Sequence, residues 1–228
     1  MTCIVAETPG KVSRIQPADP EIVREQIELL VRNFPIAAIK TGLLCNGNIV
    51  SVVARTLRRV RCRKLVVDPV MIATSGDALL DLDAVKIYER ELFPLASLIT
   101  PNLDEAARLL GEEMCDLGAM RVAVKSLAKK YGAAVLLKGG HLRAERAVDV
   151  LCDGKTLREF SSAFVPNVKT HGTGCTYSAA IAADLARGLE LPQAIARAKR
   201  FVSAAIRSRL SWGAGRRKIV ALKLSSRP

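Results

Sequence analysis

The sequence predicts an α/β fold, with a mostly parallel central sheet and helices on both faces. Apolar runs of strand length alternate along the chain with longer segments that carry apolar residues at helical spacing. Hydrophobic residues make up 50% of the 228 residues, whereas aromatic residues make up only 4%. Aliphatic side chains therefore supply the predicted core, which is typical of layered α/β proteins. A chain of this length is sufficient for one sizeable core.

The first third of the sequence predicts alternating strands and helices. A short apolar run at residues 3–6 predicts a strand. Asp19 is suited to cap a helix and Pro20 to occupy its first position, so a helix starts there. Its apolar face consists of Ile22, Val23, Ile27, Leu30 and Val31. The next predicted elements are a strand at 36–39, a helix at 47–60 and a strand at 65–67.

The rest of the chain continues this alternation. Pro101 ends an apolar strand at 95–100, because proline has no N–H to donate to a sheet. The pair Asp153-Gly154 predicts a tight turn, and hence a β-hairpin of residues 147–152 and 156–161. Further predicted elements are helices at 102–110 and 118–131, a strand at 133–137, and two long helices at 173–187 and 191–209.

The charge of the chain, +13 at neutral pH, raises the question of nucleic-acid binding. The basic residues are scattered rather than gathered on one element, and few aromatic residues lie among them to stack on bases. Solvated helix faces and a general attraction for anionic substrates explain the charge better. We therefore expect no nucleic-acid partner, and we divide the chain into a domain at 1–210 and a basic, flexible tail at 211–228.

The cysteine pattern and the missing motifs exclude several classes of protein. Six cysteines without a C-x-x-C pair, together with only two histidines, argue against zinc and fit a reducing cytoplasm. No apolar run approaches the roughly 18 residues that span a bilayer, so we expect no membrane contact. The sequence has neither a P-loop nor a dinucleotide fingerprint. The spacing of Cys175 from His141 or His171 does not support a cysteine hydrolase.

Polar residues accompanied by glycine or proline follow four of the predicted strands. These segments are Lys40-Thr41-Gly42, Asp68-Pro69, Thr100-Pro101-Asn102 and Lys138-Gly139-Gly140. In open α/β sheets, ligands bind at the carboxyl ends of the strands. We therefore expect the four segments to lie around one ligand site.

The most informative segment is His-Gly-Thr-Gly-Cys-Thr-Tyr-Ser at residues 171–178, directly before an apolar helix. Gly172 and Gly174 flank Thr173 at the helix start, which leaves backbone N–H groups unpaired and directs the helix dipole at them. This arrangement predicts a phosphate site. Cys175 lies in the same field, which would favour its thiolate or make it a proton acceptor. The alternative is a glycine-rich loop that only caps a packed helix.

The other strand ends allow both a structural and a functional interpretation. Val70 either belongs to a strand-terminating turn or offers an apolar contact to a substrate. Asn102 and Glu105 have the spacing of a helix capping box, but their oxygens could also surround Mg²⁺ through water and so neutralise ATP phosphates. Lys138 either extends from the strand into solvent or balances the charge of a transferring phosphoryl group.

Three motifs together resemble the ribokinase-like superfamily, and more narrowly the hydroxymethylpyrimidine/phosphomethylpyrimidine kinases of thiamine synthesis. They are Asn-Val-Lys-Thr-His-Gly-Thr-Gly-Cys-Thr at 167–176, Asp-Pro-Val-Met-Ile-Ala-Thr-Ser-Gly-Asp at 68–77, and Lys-Gly-Gly-His at 138–141. The resemblance extends from about Cys3 to Ile206. It implies a ribokinase-like three-layer sandwich and the phosphorylation, by ATP with Mg²⁺, of 4-amino-5-hydroxymethyl-2-methylpyrimidine and then of its monophosphate.

The resemblance implies a role for each part of the site. Gly172, Thr173 and Gly174 would form an anion hole for the transferred phosphoryl group. Cys175 would act as the base on the hydroxymethyl group, and Lys138 would contact the phosphates. Asn102 and Glu105 would organise Mg²⁺, and the residues expected near the nucleotide are Asn102, Lys138 and Lys199. The residues expected near the pyrimidine are Glu7, Gly42, Leu43 and Val70.

The resemblance also leaves alternatives open. A pyridoxal or pyridoxine kinase would share the glycine turn, and a weakly active protein that binds a pyrimidine or nucleotide is a further possibility. Family members commonly form homodimers, so a homodimer is implied here. The family begins with a strand and a glycine-rich turn that precede the start of this sequence. We interpret this difference as a start codon placed too far downstream, because the other motifs are intact.

Overall fold

Helices cover both faces of a six-stranded sheet whose strands lie side by side in chain order. The computed structural model of the chain describes residues 1–8, 11–60, 63–72, 79–80, 82–140, 142, 146–166, 172–213 and 219–224. Its strands are β1 (Cys3–Thr8), β2 (Lys11–Pro17), β3 (Ile39–Thr41), β4 (Leu65–Val67), β5 (Leu98–Ile99), β6 (Ala134–Gly139), β7 (Arg146–Cys152), β8 (Leu157–Ala163), β9 (Leu210–Trp212) and β10 (Ile219–Ala221). Its helices are α1 (Pro20–Asn33), α2 (Gly47–Arg58), α3 (Leu82–Ile87), α4 (Leu103–Leu110), α5 (Leu117–Tyr131), α6 (Thr173–Ala186) and α7 (Leu191–Arg207).

The sheet is built from β3 to β8. The strands β3, β4, β5 and β6 run parallel, and β7 and β8 continue the sheet antiparallel. The four parallel strands therefore have their carboxyl ends at one edge, as the positions of the polar segments predicted. The predicted hairpin is confirmed, with Leu151 opposite Arg158 in the β7–β8 register.

Successive strand residues point to opposite faces and fill two separate cores. Val67 and Leu137 pack in a large core with α2, α4 and α5, whereas Val66 and Leu136 pack in a second core with α6 and α7. All four side chains are fully buried. The predicted mostly parallel sheet with helices on both faces, a three-layer sandwich, is confirmed.

Helix starts follow the capping chemistry of the sequence, but one predicted helix face is partly wrong. Asp19 accepts hydrogen bonds from the N–H groups of Glu21 and Ile22 and so caps α1. On the predicted apolar face Val23 is buried, but Ile22 and Leu30 are each 53% exposed. The main packing partner of α1 is α2, so the residues on the other sides of α1 stay more exposed.

Several elements were not predicted from the sequence. The strand β1 pairs with β2, a segment whose charged and polar residues carry no apolar run. The helix α3 and the π-helical turn Tyr88–Leu92 also lack a clear periodic pattern. The predicted strand at 95–100 shrinks to Leu98–Ile99, because Phe93–Leu95 forms a 3₁₀ turn that contains a proline.

The segment predicted as a flexible tail contains paired structure. β10 pairs antiparallel with β9, so part of the chain beyond residue 210 forms a two-stranded ribbon. Among the described residues, no helix is long and apolar enough to cross a membrane.

Candidate functional site

A buried carboxylate with two lysines marks the edge where the parallel strands end. Asp68 follows β4, Lys40 lies on β3 and Lys138 lies on β6. The Lys138 Nζ is 2.8 Å from Asp68 Oδ1, and the Lys40 Nζ is 3.7 Å from Asp68 Oδ2. Three of the polar segments singled out in the sequence thus supply one charge cluster.

Two hydroxyl groups also lie beside Asp68. Thr100, directly after β5, donates from Oγ1 to Asp68 Oδ1 at 3.2 Å, and Ser178 on α6 donates from Oγ to Oδ2 at 3.0 Å. Burial alone would raise the pKa of Asp68, but the ammonium groups of Lys138 and Lys40 outweigh it and lower that pKa. The carboxylate is therefore ionised and satisfied on both oxygens.

The glycine turn before α6 lies against the same lysine. Gly172 has a φ of 74°, a conformation that favours glycine, and its carbonyl accepts the N–H of Thr176 at 2.8 Å. The Lys138 Nζ is 3.2 Å from the place that a Cβ on Gly174 would occupy. Gly174 therefore admits the ammonium to the helix N-terminus, where the dipole already favours an anion.

The thiol of Cys175 differs from what the sequence predicted. Cys175 is exposed, yet the surrounding protein displaces enough water to raise its pKa, and the carboxylate of Asp68 raises it further. The nearby ammonium groups of Lys40 and Lys138 lower that pKa, but not enough to compensate. In the protein without ligands the thiol form of Cys175 is therefore favoured over the thiolate, and its role as a proton acceptor stays a prediction.

Asn102 and Glu105 form the predicted capping box at the start of α4. The Asn102 side chain accepts the Glu105 N–H at 2.8 Å, and Glu105 accepts the Asn102 N–H at 2.8 Å and the Met71 N–H at 3.4 Å. Glu105 is 3% exposed, and burial raises its pKa to about 7 despite the ammonium of Lys138. The structural interpretation of this pair is thus confirmed, and its role towards Mg²⁺ stays a prediction.

Lys199 on α7 has a buried partner that the sequence did not reveal. Its Nζ donates to Asp149 Oδ2 at 2.7 Å, and Asp149 Oδ1 accepts the N–H of Gly139 at 3.1 Å. Asp149 is 2% exposed. The carboxylate of Asp149 on β7 therefore connects Lys199 on α7 with the backbone of Gly139. Gly139 directly follows Lys138, so Lys199 is linked to the site through this carboxylate.

The residues predicted to contact the pyrimidine are only partly brought together. Gly42 lies against the ammonium of Lys40, and its carbonyl accepts the Tyr88 hydroxyl at 3.3 Å. Val70 donates its N–H to the carbonyl of Asp68 at 2.9 Å. Leu43 follows Gly42 in the same loop. Glu7 is exposed on the β1–β2 hairpin, and no described contact joins it to the Asp68 cluster.

A cavity of about 1110 Å³ opens between β8, α6 and α7. Lys199 and Phe201 contribute to its lining, whereas Asp68, Lys138 and Cys175 do not. His141, His171 and the motif residues 73–77 and 167–170 lie outside the described part of the chain. Within the described part, no group of three His, Cys, Asp or Glu side chains could hold a metal ion.

Sequence reasoning placed Lys40 and Asp68 in segments around the site without giving either side chain a role, and it missed Asp149 and Ser178. The sequence positions of Lys40 and Asp68 could have indicated such a role. Lys40 lies near the carboxyl end of the parallel strand β3, and Asp68 directly follows the parallel strand β4. Ser178 lies four residues after Gly174, on the face of α6 that turns towards the sheet. Asp149 had only a weak signal, a charge within an apolar strand.

Comparisons with known proteins show the family to which the chain belongs. The family model described as phosphomethylpyrimidine kinase matches residues 1–220. The hydroxymethylpyrimidine/phosphomethylpyrimidine kinase of Rhizobium meliloti is 40% identical over 219 residues, which are 95% of this chain and 82% of that protein. The thiamine biosynthesis bifunctional protein ThiED of Geobacter sulfurreducens is 42% identical over 94% of this chain, which spans 44% of that longer protein.

A solved structure supports the fold. An ADP complex of Bacillus subtilis pyridoxal kinase superimposes with a TM-score of 0.86 and 34% sequence identity, over 98% of this chain and 83% of that one. Its similarity extends over the sheet and both helical layers. The chain thus belongs to the phosphomethylpyrimidine kinase family, whose members are phosphotransferases with a ribokinase-like fold.

Proposed function

We propose that the protein transfers the γ-phosphoryl group of ATP to 4-amino-5-hydroxymethyl-2-methylpyrimidine and then to its monophosphate, as a step of thiamine synthesis. The observation that carries this proposal is the position of Lys138, whose ammonium lies between Asp68 and the glycine turn of α6. A cation beside the N-terminus of a helix suits a phosphoryl group whose charge spreads over three oxygens during transfer.

In this proposal the protein acts mainly through position and charge. The backbone of Gly172, Thr173 and Gly174 holds the transferred group, and Lys138 balances its charge. Asp68 keeps Lys138 in place, because its ionised carboxylate holds the ammonium at 2.8 Å. Cys175, at the first turn of α6, would act in its thiolate form, which must form on ligand binding because the thiol is protonated without ligands, and the thiolate would take the proton of the hydroxymethyl group. A modest base suffices, because the transition state of phosphoryl transfer is loose.

The proposed Mg²⁺ would be held mainly by the phosphates of ATP and by water. Both oxygens of Glu105 and the side-chain oxygen of Asn102 already accept backbone N–H groups. Hard oxygen ligands suit Mg²⁺, which retains several waters, so Asn102 and Glu105 fit an outer contact better than a direct one. The ion would neutralise phosphate charge, while the two residues keep the start of α4 rigid beside it.

The nucleoside end of ATP is proposed to lie in the cavity between β8, α6 and α7. Lys199 lines this cavity and donates a hydrogen bond to Asp149, which accepts the N–H of Gly139. These hydrogen bonds link the cavity to the strand that carries Lys138. The ADP bound to the similar pyridoxal kinase supports nucleotide binding by this fold. This places ATP and the pyrimidine on different sides of Lys138.

A pyridoxal kinase is the second candidate, and the 0.86 TM-score to such an enzyme favours it. Both candidates phosphorylate a hydroxymethyl group on a six-membered nitrogen ring. Only the thiamine enzyme should phosphorylate a monophosphate. A third candidate, a binding protein without turnover, predicts retention of the pyrimidine without ADP release.

The deciding experiment measures ADP release with the hydroxymethylpyrimidine, its monophosphate and pyridoxal as separate acceptors. Turnover of the monophosphate would support the proposed function. Turnover of pyridoxal alone would establish the second candidate, and pyrimidine binding without turnover would favour the third. We further propose a cytoplasmic protein without nucleic-acid or membrane partners that forms a homodimer, and light scattering on the purified chain would test the homodimer.

A further inference from the structure

Two lysines share the carboxylate of Asp68 but extend to different parts of the site. Lys138 lies against Gly174, at the turn proposed to hold the transferred phosphoryl group. The Lys40 Nζ lies 2.7 Å from the place that a Cβ on Gly42 would occupy, in the loop after β3. The cluster therefore carries one cation on the phosphoryl side and another on the side proposed for the acceptor.

The two lysines are not held equally. Lys138 makes a hydrogen bond with Asp68 at 2.8 Å, whereas the Lys40 Nζ stays at 3.7 Å from that carboxylate. The Lys40 side chain is also the more accessible, at 19% exposed against 12% for Lys138. Asp68 is the single ionic partner found for Lys40 among the described residues. Its ammonium thus has donors available for a ligand.

The charges of the cluster leave room for an anion. Two ammonium groups and one ionised carboxylate carry a net charge of one positive unit. A phosphoryl group in transfer already uses Lys138. When the acceptor is itself a phosphate monoester, which carries about −1.5 to −2 charges at pH 7, a second anion enters while Lys138 and the Mg²⁺ proposed above are engaged by the ATP phosphates.

Two hydrogen bonds hold the loop of Gly42 and Leu43 beside Lys40, so this loop can form one side of a binding site. The buried Tyr88 donates its hydroxyl to the Gly42 carbonyl at 3.3 Å, and Thr2 donates from Oγ1 to the Leu43 carbonyl at 2.7 Å. The absent side chain of Gly42 leaves the space in which the Lys40 ammonium lies. A ligand that packs on this loop would meet the ammonium directly.

We propose that Lys40 recognises the phosphate of the phosphorylated acceptor and so determines specificity for the second phosphorylation. This inference rests on the proposed function. In that step an ionised phosphate oxygen of the acceptor forms a bond to the γ-phosphorus, the bond to the bridging oxygen breaks, and ADP leaves with the electron pair. Lys40 holds the acceptor phosphate against the repulsion of the ATP phosphates, and a neutral alcohol has no group of this kind.

The test is steady-state kinetics of Lys40→Met and Lys40→Arg with the hydroxymethylpyrimidine and its monophosphate as alternative acceptors at saturating ATP. We expect Lys40→Met to lower kcat/KM for the monophosphate about 10- to 100-fold more than kcat/KM for the alcohol, as loss of a charged hydrogen bond implies. The loss should be mainly in KM, and Lys40→Arg should restore part of it. Lys138→Met, the matched control, should lower both reactions alike.

Calorimetric binding of the two pyrimidines to the unaltered chain and to Lys40→Met separates this inference from the proposed function. Absence of turnover by the unaltered chain would contradict the proposed function, and the binding ratio would still decide the role of Lys40. Weaker binding of the monophosphate with retained binding of the alcohol supports the inference and shows that the variant folds. Equal losses for both pyrimidines, or no loss for the monophosphate, would overturn it.

Discussion

Lys138 donates a hydrogen bond to Asp68, 70 positions earlier in the chain, with 2.8 Å between Nζ and Oδ1. The parallel sheet makes this contact possible, because β4 and β6 end at the same edge with β5 between them. Both side chains are nearly buried: that of Lys138 is 12% exposed and that of Asp68 is 3% exposed. Each charge therefore depends on the other for compensation, which gives the pair a structural role beside the role proposed for Lys138 in phosphoryl transfer.

Removal of the Asp68 charge is expected to destabilise the fold. Asp68→Asn leaves the ammonium groups of Lys40 and Lys138 without their carboxylate, and an uncompensated buried charge costs about 3–5 kcal/mol. Urea denaturation should show this loss in the free energy of unfolding. The double variant Asp68→Asn/Lys138→Met should recover part of the lost stability, because it also removes one of the two ammonium groups that Asp68→Asn leaves without a carboxylate. A single variant as stable as the unaltered chain would contradict the pairing.

The proposed base is expected to matter more for the first phosphorylation than for the second. The alcohol must lose a proton, whereas a phosphate oxygen is already ionised near neutral pH because its second pKa is about 6. Cys175→Ala should lower kcat with the alcohol about 100- to 10,000-fold, the range for loss of a general base. The loss with the monophosphate should be far smaller, and ATP affinity should stay unchanged.

The control for this prediction is Cys115→Ala, which removes a second exposed thiol outside the site. Its kinetics should match those of the unaltered chain with both acceptors. If Cys175→Ala instead lowers kcat equally with both acceptors, Cys175 would act by packing in the glycine turn and not as a base. Together with the Lys40 variants, the experiment gives two opposite changes in acceptor preference, which general damage to the site would not produce.

Periodicity and turn chemistry predicted the layers of this fold well. The apolar runs at 36–39, 65–67 and 133–137 are short, uninterrupted and followed by polar residues, so a parallel sheet could be predicted from local patterns, although the first of these strands begins three residues later than predicted, at Ile39–Thr41. The capping box of Asn102 and Glu105 is equally local. The strand β2 and the β9–β10 ribbon were missed, because β2 mixes charged, polar and apolar residues and the ribbon consists of two strands of three residues each.

The site was predicted less completely than the fold, for a physical reason. The glycine turn and Lys138 could be identified by chemistry that each carries alone. The roles of Asp68 and Asp149 depend on partners far away in sequence, Lys138 for the first and Lys199 for the second. The protonation of Cys175 likewise depends on burial and on Asp68, which a helix-dipole argument from sequence does not include.

Glu105 is expected to make stability depend on pH. Burial raises its pKa from 4.5 to about 7, so the folded state retains a proton that the unfolded state has released. The free energy of unfolding should therefore fall as pH rises from about 4.5 to about 7, by about 3 kcal/mol, and then level off. Urea midpoints at a series of pH values would measure this change.

The matched variant is Glu105→Gln, which keeps one acceptor oxygen for the helix cap but cannot ionise. Its stability should be nearly flat over the same pH interval. If Mg²⁺ contacts Glu105 through water as proposed, added Mg²⁺ should lower the pKa of the carboxyl and shift the pH dependence of the unaltered chain alone. An identical pH dependence of both proteins would contradict the assignment to Glu105.

Variants of Lys199 and Asp149 can separate the structural role of Lys199 from a role in nucleotide binding. Lys199→Met leaves Asp149 buried without its cation and should cost about 3–5 kcal/mol in the free energy of unfolding. The double variant Asp149→Asn/Lys199→Met should recover much of that stability, because no charge is left alone. If Lys199 also serves ATP, as the proposed function holds, KM for ATP should stay raised in the double variant. A KM that recovers together with stability would restrict Lys199 to holding Asp149 and the backbone of Gly139 in place.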